Sequence, residues 1–186
     1  MSYINAITSP APAIVTYADA TGNLSLQAAG TNYITISPGA AGNVVSIPTG
    51  VGGTPCFSAT AGTSQTISTS TWTKIQFATK QFDTTGAFDN VTNYRFQPLV
   101  AGYYLITLAA GHGNASYNVL ASIYKNGSGY QQGQGNATSA TYDPVTNISC
   151  VIYFNGSTDY VEGYMITNTT TTTENCRLTG FLARAT

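Results

Sequence analysis

The chain has 186 residues, of which 7% are charged, with six Lys and Arg against seven Asp and Glu. Soluble domains typically carry about 25% charged residues, so the polarity of this chain comes mainly from Ser, Thr, Asn, Gln and Gly. The balance of charges leaves no basic patch for DNA or RNA, and we expect no nucleic-acid partner.

The first residues, MSYINAITSPAPA, lack the basic start and apolar core of a secretory signal. No run approaches the roughly 20 apolar residues that span a bilayer, so we expect no membrane insertion. We also expect the protein to be synthesised in a cytoplasm. The chain has an odd number of cysteines, Cys56, Cys150 and Cys176, and their spacing is not that of metal ligands. We therefore expect no metal and no cofactor. A reducing cytoplasm favours three free thiols, and a Cys150–Cys176 pair stays open as the alternative.

The first fifty residues carry a weak repeat in which glycine opens a short alternating strand. The three copies are Gly22–Leu26, Gly30–Ile36 and Gly42–Ile47. Three such strands cannot bury a core alone, so we expect them to stack on copies of themselves as a docking or stem segment. An ordinary N-terminal meander is the alternative. The run Pro48–Pro55 breaks regular structure, which predicts two parts, residues 1–52 and 53–186.

Beyond this boundary, runs rich in Val, Ile, Thr and Tyr recur between turn residues. They predict strands at Cys56–Ala59, Thr73–Phe77, Tyr94–Phe96, Gly102–Ala110, Val119–Lys125, Asn147–Phe154, Tyr160–Thr167 and Arg177–Ala183. About eight antiparallel strands in this length are typical of a two-sheet jelly roll or sandwich. The predicted fold class is therefore all-β, with a short β-repeat segment before the jelly roll.

Three of these strands, Gly102–Ala110, Asn147–Phe154 and Arg177–Ala183, are apolar on both faces. A sandwich buries only one face of each sheet, and a monomer rarely exposes a large apolar patch. The second face therefore predicts contact with another subunit. The candidate residues for this interface or for the core are Tyr103, Tyr104, Leu105, Val151, Tyr153 and Phe181.

Nine short motifs follow one another in a recognisable order. They are Phe57–Ala59, Ile75–Phe77, Phe82–Asp83, Phe88–Asp89, Tyr94–Pro98, Ala101–Tyr104, Ile123–Gly127, Asp159–Glu162 and Leu178–Leu182. This order resembles the globular head of complement C1q across residues 56–186. The resemblance implies the trimeric jelly roll that C1q heads share with the tumour-necrosis-factor ligands, with the three doubly apolar strands in an inner sheet around a threefold axis. One departure is Gly156–Asp159, which is longer than the Gly-Asp pair common in that family.

The N-terminal segments Asp19–Gln27 and Gly30–Ile36 are similar to short repeats of bacteriophage tail fibres and related virion appendages. Together the resemblances imply a non-enzymatic, homotrimeric structural protein of a phage virion, made in the host cytoplasm. It would be a tail fibre, a head fibre or a capsid decoration, joined to other virion proteins by its N-terminal segment. A free trimeric adhesin or lectin-like module is the alternative, and an enzyme ranks third.

A Gly-rich segment at 127–135 is predicted to be a flexible loop that projects aromatic and amide groups. The candidate ligand-binding residues are Tyr117, Tyr130, Gln131, Gln132, Gln134 and Asn136. Stacking faces and amides suit a neutral sugar on a host surface, although a solvated loop or a subunit contact would use the same groups.

The sequence offers no convincing catalytic group. Asp159 and Glu162 are three apart on a predicted strand and so point to opposite faces, which argues against a shared acid–base cleft. We expect a turn residue and a solvated acid. His112 lacks the motif and the acid partner of a catalytic triad and is expected in a loop or at the end of the trimer.

Overall fold

The structure, a computed structural model, describes residues 15–18, 24–28, 31–37, 44–46, 54–61, 65–113, 118–136 and 143–186. The chain divides into two compact units, Met1–Gly53 and Thr54–Thr186. In the described ranges the regular structure is entirely β-strand. No helix long and apolar enough to cross a membrane occurs there.

The first unit contains a four-stranded antiparallel sheet in chain order. Its strands are β1 (Val15–Ala18), β2 (Leu24–Ala28), β3 (Thr31–Ser37) and β4 (Val44–Ser46). Strands β2 to β4 fall on the three glycine-opened repeats that the sequence predicts. Strand β1 was not predicted, because its four residues carry too short a pattern to separate from loop.

The second unit has twelve further strands among its described residues. They are β5 (Cys56–Thr60), β6 (Thr66–Ile67), β7 (Thr73–Lys74), β8 (Thr79–Asp83), β9 (Phe88–Asp89), β10 (Arg95–Phe96), β11 (Gly102–His112), β12 (Val119–Lys125), β13 (Ser128–Gly135), β14 (Val145–Phe154), β15 (Val161–Thr167) and β16 (Thr171–Ala185). Sheet I has the order β14-β11-β16-β5-β8, with β6 also paired to β16, and sheet II has the order β13-β12-β15-β10-β9, with β7 also paired to β15. Their strand pairs are antiparallel, which confirms the predicted two-sheet fold.

The hydrophobic core lies between the two sheets. Alternate residues of β11, such as Tyr104, Ile106 and Leu108, are fully buried in it, as the period of two in a strand requires. An aromatic group packs at one end of the core, where the Phe57 and Phe96 rings stack with centroids 4.2 Å apart. This core fixes which face of each sheet points outward.

Strand β13 corrects the prediction of a flexible loop at 127–135. It pairs with β12 along its length and forms an edge of sheet II. Gly133 and Gly135 face β14, where an added Cβ would collide with Ile148 and Thr146 respectively. The glycines that suggested flexibility instead allow the two edge strands to approach closely.

His112 corrects a second expectation. It lies within β11 and is fully buried rather than placed in a loop. The strand continues past the predicted end at Ala110 because β16 also begins earlier than predicted and pairs with it, with Thr173 opposite His112.

Candidate functional site

The outward side of sheet I carries a second set of apolar side chains, which we call the apolar face. They are Tyr103, Leu105, Val151, Tyr153 and Phe181. The strand register places Leu105 between Val151 and Phe181, with Tyr103 beside Tyr153. Val151 is 55% exposed and Phe181 46% exposed. Because contiguous apolar side chains of this size are rarely left in water, the face is a candidate subunit contact.

A shallow recess of about 170 Å³ adjoins the apolar face. It is lined in part by Phe82, Leu105 and Phe181, and the Phe82 side chain is itself exposed. Strand β8 holds Phe82 at this place by pairing it with Ser58 of β5. A recess with apolar walls can accept an apolar side chain of another molecule.

The same side of sheet I becomes polar toward the far end of β11. One register row contains Asn147, Ala109, Arg177 and Thr60. These residues help to line a groove of about 530 Å³. The outward side of sheet I therefore has an apolar part and a polar part, and only the apolar part resembles a permanent protein interface.

The structure divides the six predicted interface or core residues. Five form the apolar face, whereas Tyr104 belongs to the core. Its hydroxyl donates to the carbonyl oxygen of Val100 at 2.8 Å, which satisfies the one polar group of a buried ring. Burial raises the pKa of the Tyr104 phenol to about 12, so it stays protonated at neutral pH.

The predicted ligand-binding residues also separate. Tyr117 lies outside the described residues. Gln132 pairs with Ser122 of β12, and Gln134 pairs with Leu120. Both glutamines face away from the core. Tyr130 is displaced by a register shift, and its hydroxyl lies 3.4 Å from the carbonyl oxygen of Val151 on β14.

The other two predicted residues stay near the strand edge. Gln131 is opposite the core residue Ile123 and donates through Nε2 to the Gln132 carbonyl. Asn136 accepts a hydrogen bond from Gln134 at 2.6 Å. The five described members of the predicted set therefore do not converge on one site.

A group of aromatic residues that the sequence did not single out lies on the outward side of sheet II. We call Trp72, Tyr124, Tyr160 and Tyr164 the aromatic cluster. The rings of Tyr124 and Tyr164 stack with centroids 4.0 Å apart, and the Trp72 ring lies 6.3 Å from Tyr124. The Arg95 guanidinium lies 4.2 Å from the Tyr160 ring centroid, a cation–π geometry.

Of the two acids near this cluster, one differs from the sequence expectation and one agrees with it. Glu162 is nearly buried rather than solvated, and its Oε1 lies 3.0 Å from Nζ of Lys74. Burial, followed by the neighbouring Glu162 charge, raises the pKa of Tyr164. Asp159 is the turn residue that the sequence predicts, since it bonds Asn126 and the backbone of Asn155.

In the described part of the chain, the cysteines lack the features of reactive thiols or metal ligands. Cys56, Cys150 and Cys176 are free thiols. Burial raises the pKa of Cys150 to about 11 and also raises that of Cys176. A thiol with a raised pKa is a poor nucleophile. In the described ranges no group of three or more His, Cys, Asp or Glu side chains could hold a metal ion.

Comparison with solved structures identifies the fold. No protein-family profile matches the sequence, and no curated protein matches it. Among solved structures, the vertex protein P5 of the phage PRD1 aligns with a TM-score of 0.60 at 16% identity, over 85% of this chain and 86% of that one. Murine APRIL, a TNF-family protein, aligns with a TM-score of 0.52 at 7% identity, over 70% of this chain and 99% of that one. The fold is a TNF-like jelly roll.

This likeness confirms the predicted jelly roll with a C1q- or TNF-like arrangement. At identities this low the shared property is the fold, because one fold carries many functions. The apolar face and the aromatic cluster are the two features of this chain that bear on its function.

Proposed function

We propose that the chain is a homotrimeric structural protein of a bacteriophage particle, non-enzymatic, whose jelly-roll unit forms the trimer through the apolar face. The observation that carries the proposal is the outward row of Val151, Leu105 and Phe181 on sheet I, in which Val151 and Phe181 are exposed. The fold likeness to a phage vertex protein and the phage-like N-terminal repeats support the placement on a virion.

A ring of three requires two different surfaces to meet at each contact. The outward side of sheet I offers both. Strand β14 is an edge of the sheet and presents Val151 and Tyr153, whereas the recess beside Phe82 and Phe181 lies toward the opposite edge. The β14 edge of one copy inserts its apolar side chains into the recess of the next.

The N-terminal unit, residues 1–53, joins the trimer to other virion proteins. A four-stranded sheet of three- to seven-residue strands needs packing partners to be stable. Whether the attachment point is a tail fibre, a head fibre or the capsid surface depends on which virion protein this unit contacts.

The test is binding to particles that lack the protein. Full-length chain and the piece 54–186 are mixed with such particles and sedimented. We expect the full chain to sediment with the particles and the piece to remain in the supernatant as a trimer. If neither associates, the free trimeric adhesin becomes the better description, and if both associate equally, the N-terminal unit is not the docking element.

A further inference from the structure

An almost fully buried carboxylate lies beside Tyr124 and Tyr164 of the aromatic cluster, on the outward side of sheet II. Glu162 is 5% exposed, and Nζ of Lys74 donates to its Oε1 at 3.0 Å. Within the described chain this is the one hydrogen bond to the Glu162 carboxylate. An ammonium has three donors and a carboxylate oxygen can accept more than one bond. The pair therefore retains both donor and acceptor capacity.

Strand pairing gathers polar and aromatic groups around this ion pair. One register row across sheet II runs Gln132, Ser122, Tyr164 and Lys74, and the next places Tyr124 opposite Glu162. Gly129 leaves space where a side chain would stand, since a Cβ there would lie 3.5 Å from Gln132 Nε2 and 3.9 Å from the Tyr124 ring. The surface thus combines ring edges, an amide and a charged pair in adjacent positions.

The chemistry of this arrangement selects among ligands. Because the charges of Lys74 and Glu162 cancel at a separation of 3.0 Å, the pair offers no net electrostatic attraction to an anion or to a cation. A pair of neighbouring hydroxyls can donate to a carboxylate oxygen and accept from an ammonium at the same time. Aromatic rings supply the apolar contact that the carbon skeleton of such a ligand needs.

We propose that the aromatic cluster with Lys74 and Glu162 is a binding site for a neutral saccharide. Two adjacent sugar hydroxyls bridge Glu162 Oε2 and Lys74 Nζ, and the sugar ring lies against Trp72 and Tyr124. The amide of Gln132, which the sequence also singled out, reaches the same side of the sheet. Tyr130 and Gln131 lie outside this site.

The inference rests on the proposed function in one respect. A trimer closed through sheet I leaves sheet II facing outward, so each trimer on a particle would present three copies of the saccharide site. Weak single-site binding would then be strengthened by simultaneous contact with a repetitive host-surface glycan.

The test uses the full chain and the methyl glycosides of glucose, galactose, mannose and N-acetylglucosamine as probes. Because Trp72 is the only tryptophan, its emission reports directly on the site, and saturation-transfer NMR reports binding independently. We expect at least one glycoside to change Trp72 emission at about 10 mM, which corresponds to a binding free energy of a few kcal/mol. Absence of binding by all four in both measurements would overturn the proposal.

Variants locate the site. Glu162→Gln should weaken binding at least about tenfold, because a hydrogen bond to a charged group is lost, and the matched control Tyr130→Ala should bind as the parent does. If Tyr130→Ala abolishes binding and Glu162→Gln does not, the β13 edge is the site and the proposal is wrong. If Glu162→Gln fails to fold, Trp72→Phe measured by NMR decides in its place, and unchanged affinity there overturns the proposal.

Light scattering on the same samples separates this inference from the proposed function. Sugar binding by a monomeric protein would leave the saccharide site standing while refuting the trimer. A trimer that binds none of the probes would do the reverse.

Discussion

Replacing Phe181 with alanine should weaken the trimer while leaving the fold of each subunit almost unchanged. An aromatic side chain carries roughly 200 Å², and Phe181 is 46% exposed in the single chain. Covering the exposed part removes roughly 90 Å² from water, which is about 2 kcal/mol for each copy at 25 cal/mol per Å². Three copies together contribute about 6 kcal/mol to trimer formation.

This loss corresponds to about four powers of ten in the trimer dissociation constant. Because that constant contains concentration squared, the concentration at which half the chains are trimeric should rise roughly a hundredfold. Sedimentation equilibrium over a range of protein concentrations measures this midpoint. Leu99→Ala is the matched control, since Leu99 is 72% exposed but lies between β10 and β11, outside the apolar face. Equal midpoints for Phe181→Ala and Leu99→Ala would refute the reasoning.

Three other predictions concern stability. Gly156→Ala should lower the free energy of unfolding by about 2 kcal/mol or more, because φ is 71° and the added Cβ would lie 2.5 Å from the Ala101 nitrogen. Urea melts measure this change. The control Gly86→Ala, with φ of 70° and open space around the added Cβ, isolates the contribution of backbone strain. Backbone hydrogen bonds from Thr92 and Val91 lower the Asp89 pKa from 3.8 to about 2. Its stabilisation is therefore complete above pH 4 and lost as pH falls through 2, so melting temperatures of Asp89→Asn should fall less steeply over that range than those of the parent, and equal slopes would contradict the assignment. The piece 54–186 should melt cooperatively, because it holds the whole jelly-roll core; a non-cooperative melt would show that it needs residues 1–53.

Much of the jelly roll could be predicted because its central strands have clear patterns. In β11 both faces are apolar, and the structure buries Tyr104 and Ile106 while leaving Tyr103 outward. The period of two alone assigns these residues to two faces. The need for a second covering layer then follows from physical chemistry without knowledge of the partner strands.

Strand β13 could not be predicted in the same way. Its glycines have low strand propensity, and the reason for Gly133 is the closeness of Ile148 on another strand. Such a requirement arises only from tertiary packing. The sequence therefore indicated a loop where the structure has an edge strand.

The aromatic cluster was missed for a related reason. Trp72, Tyr124 and Tyr164 lie on three separate segments, and only the pairing of β12, β15 and β7 brings them together. Their spacing along the chain carries no motif. A strand-register prediction that placed Tyr124 opposite Glu162 would have been the one available signal.

The most direct test of the central claim is the native mass of the full-length chain at micromolar concentration. The exposed apolar face predicts a species of three chains, because closure of a ring covers Val151, Leu105 and Phe181 in every copy. A stable, soluble monomer under these conditions would contradict the account.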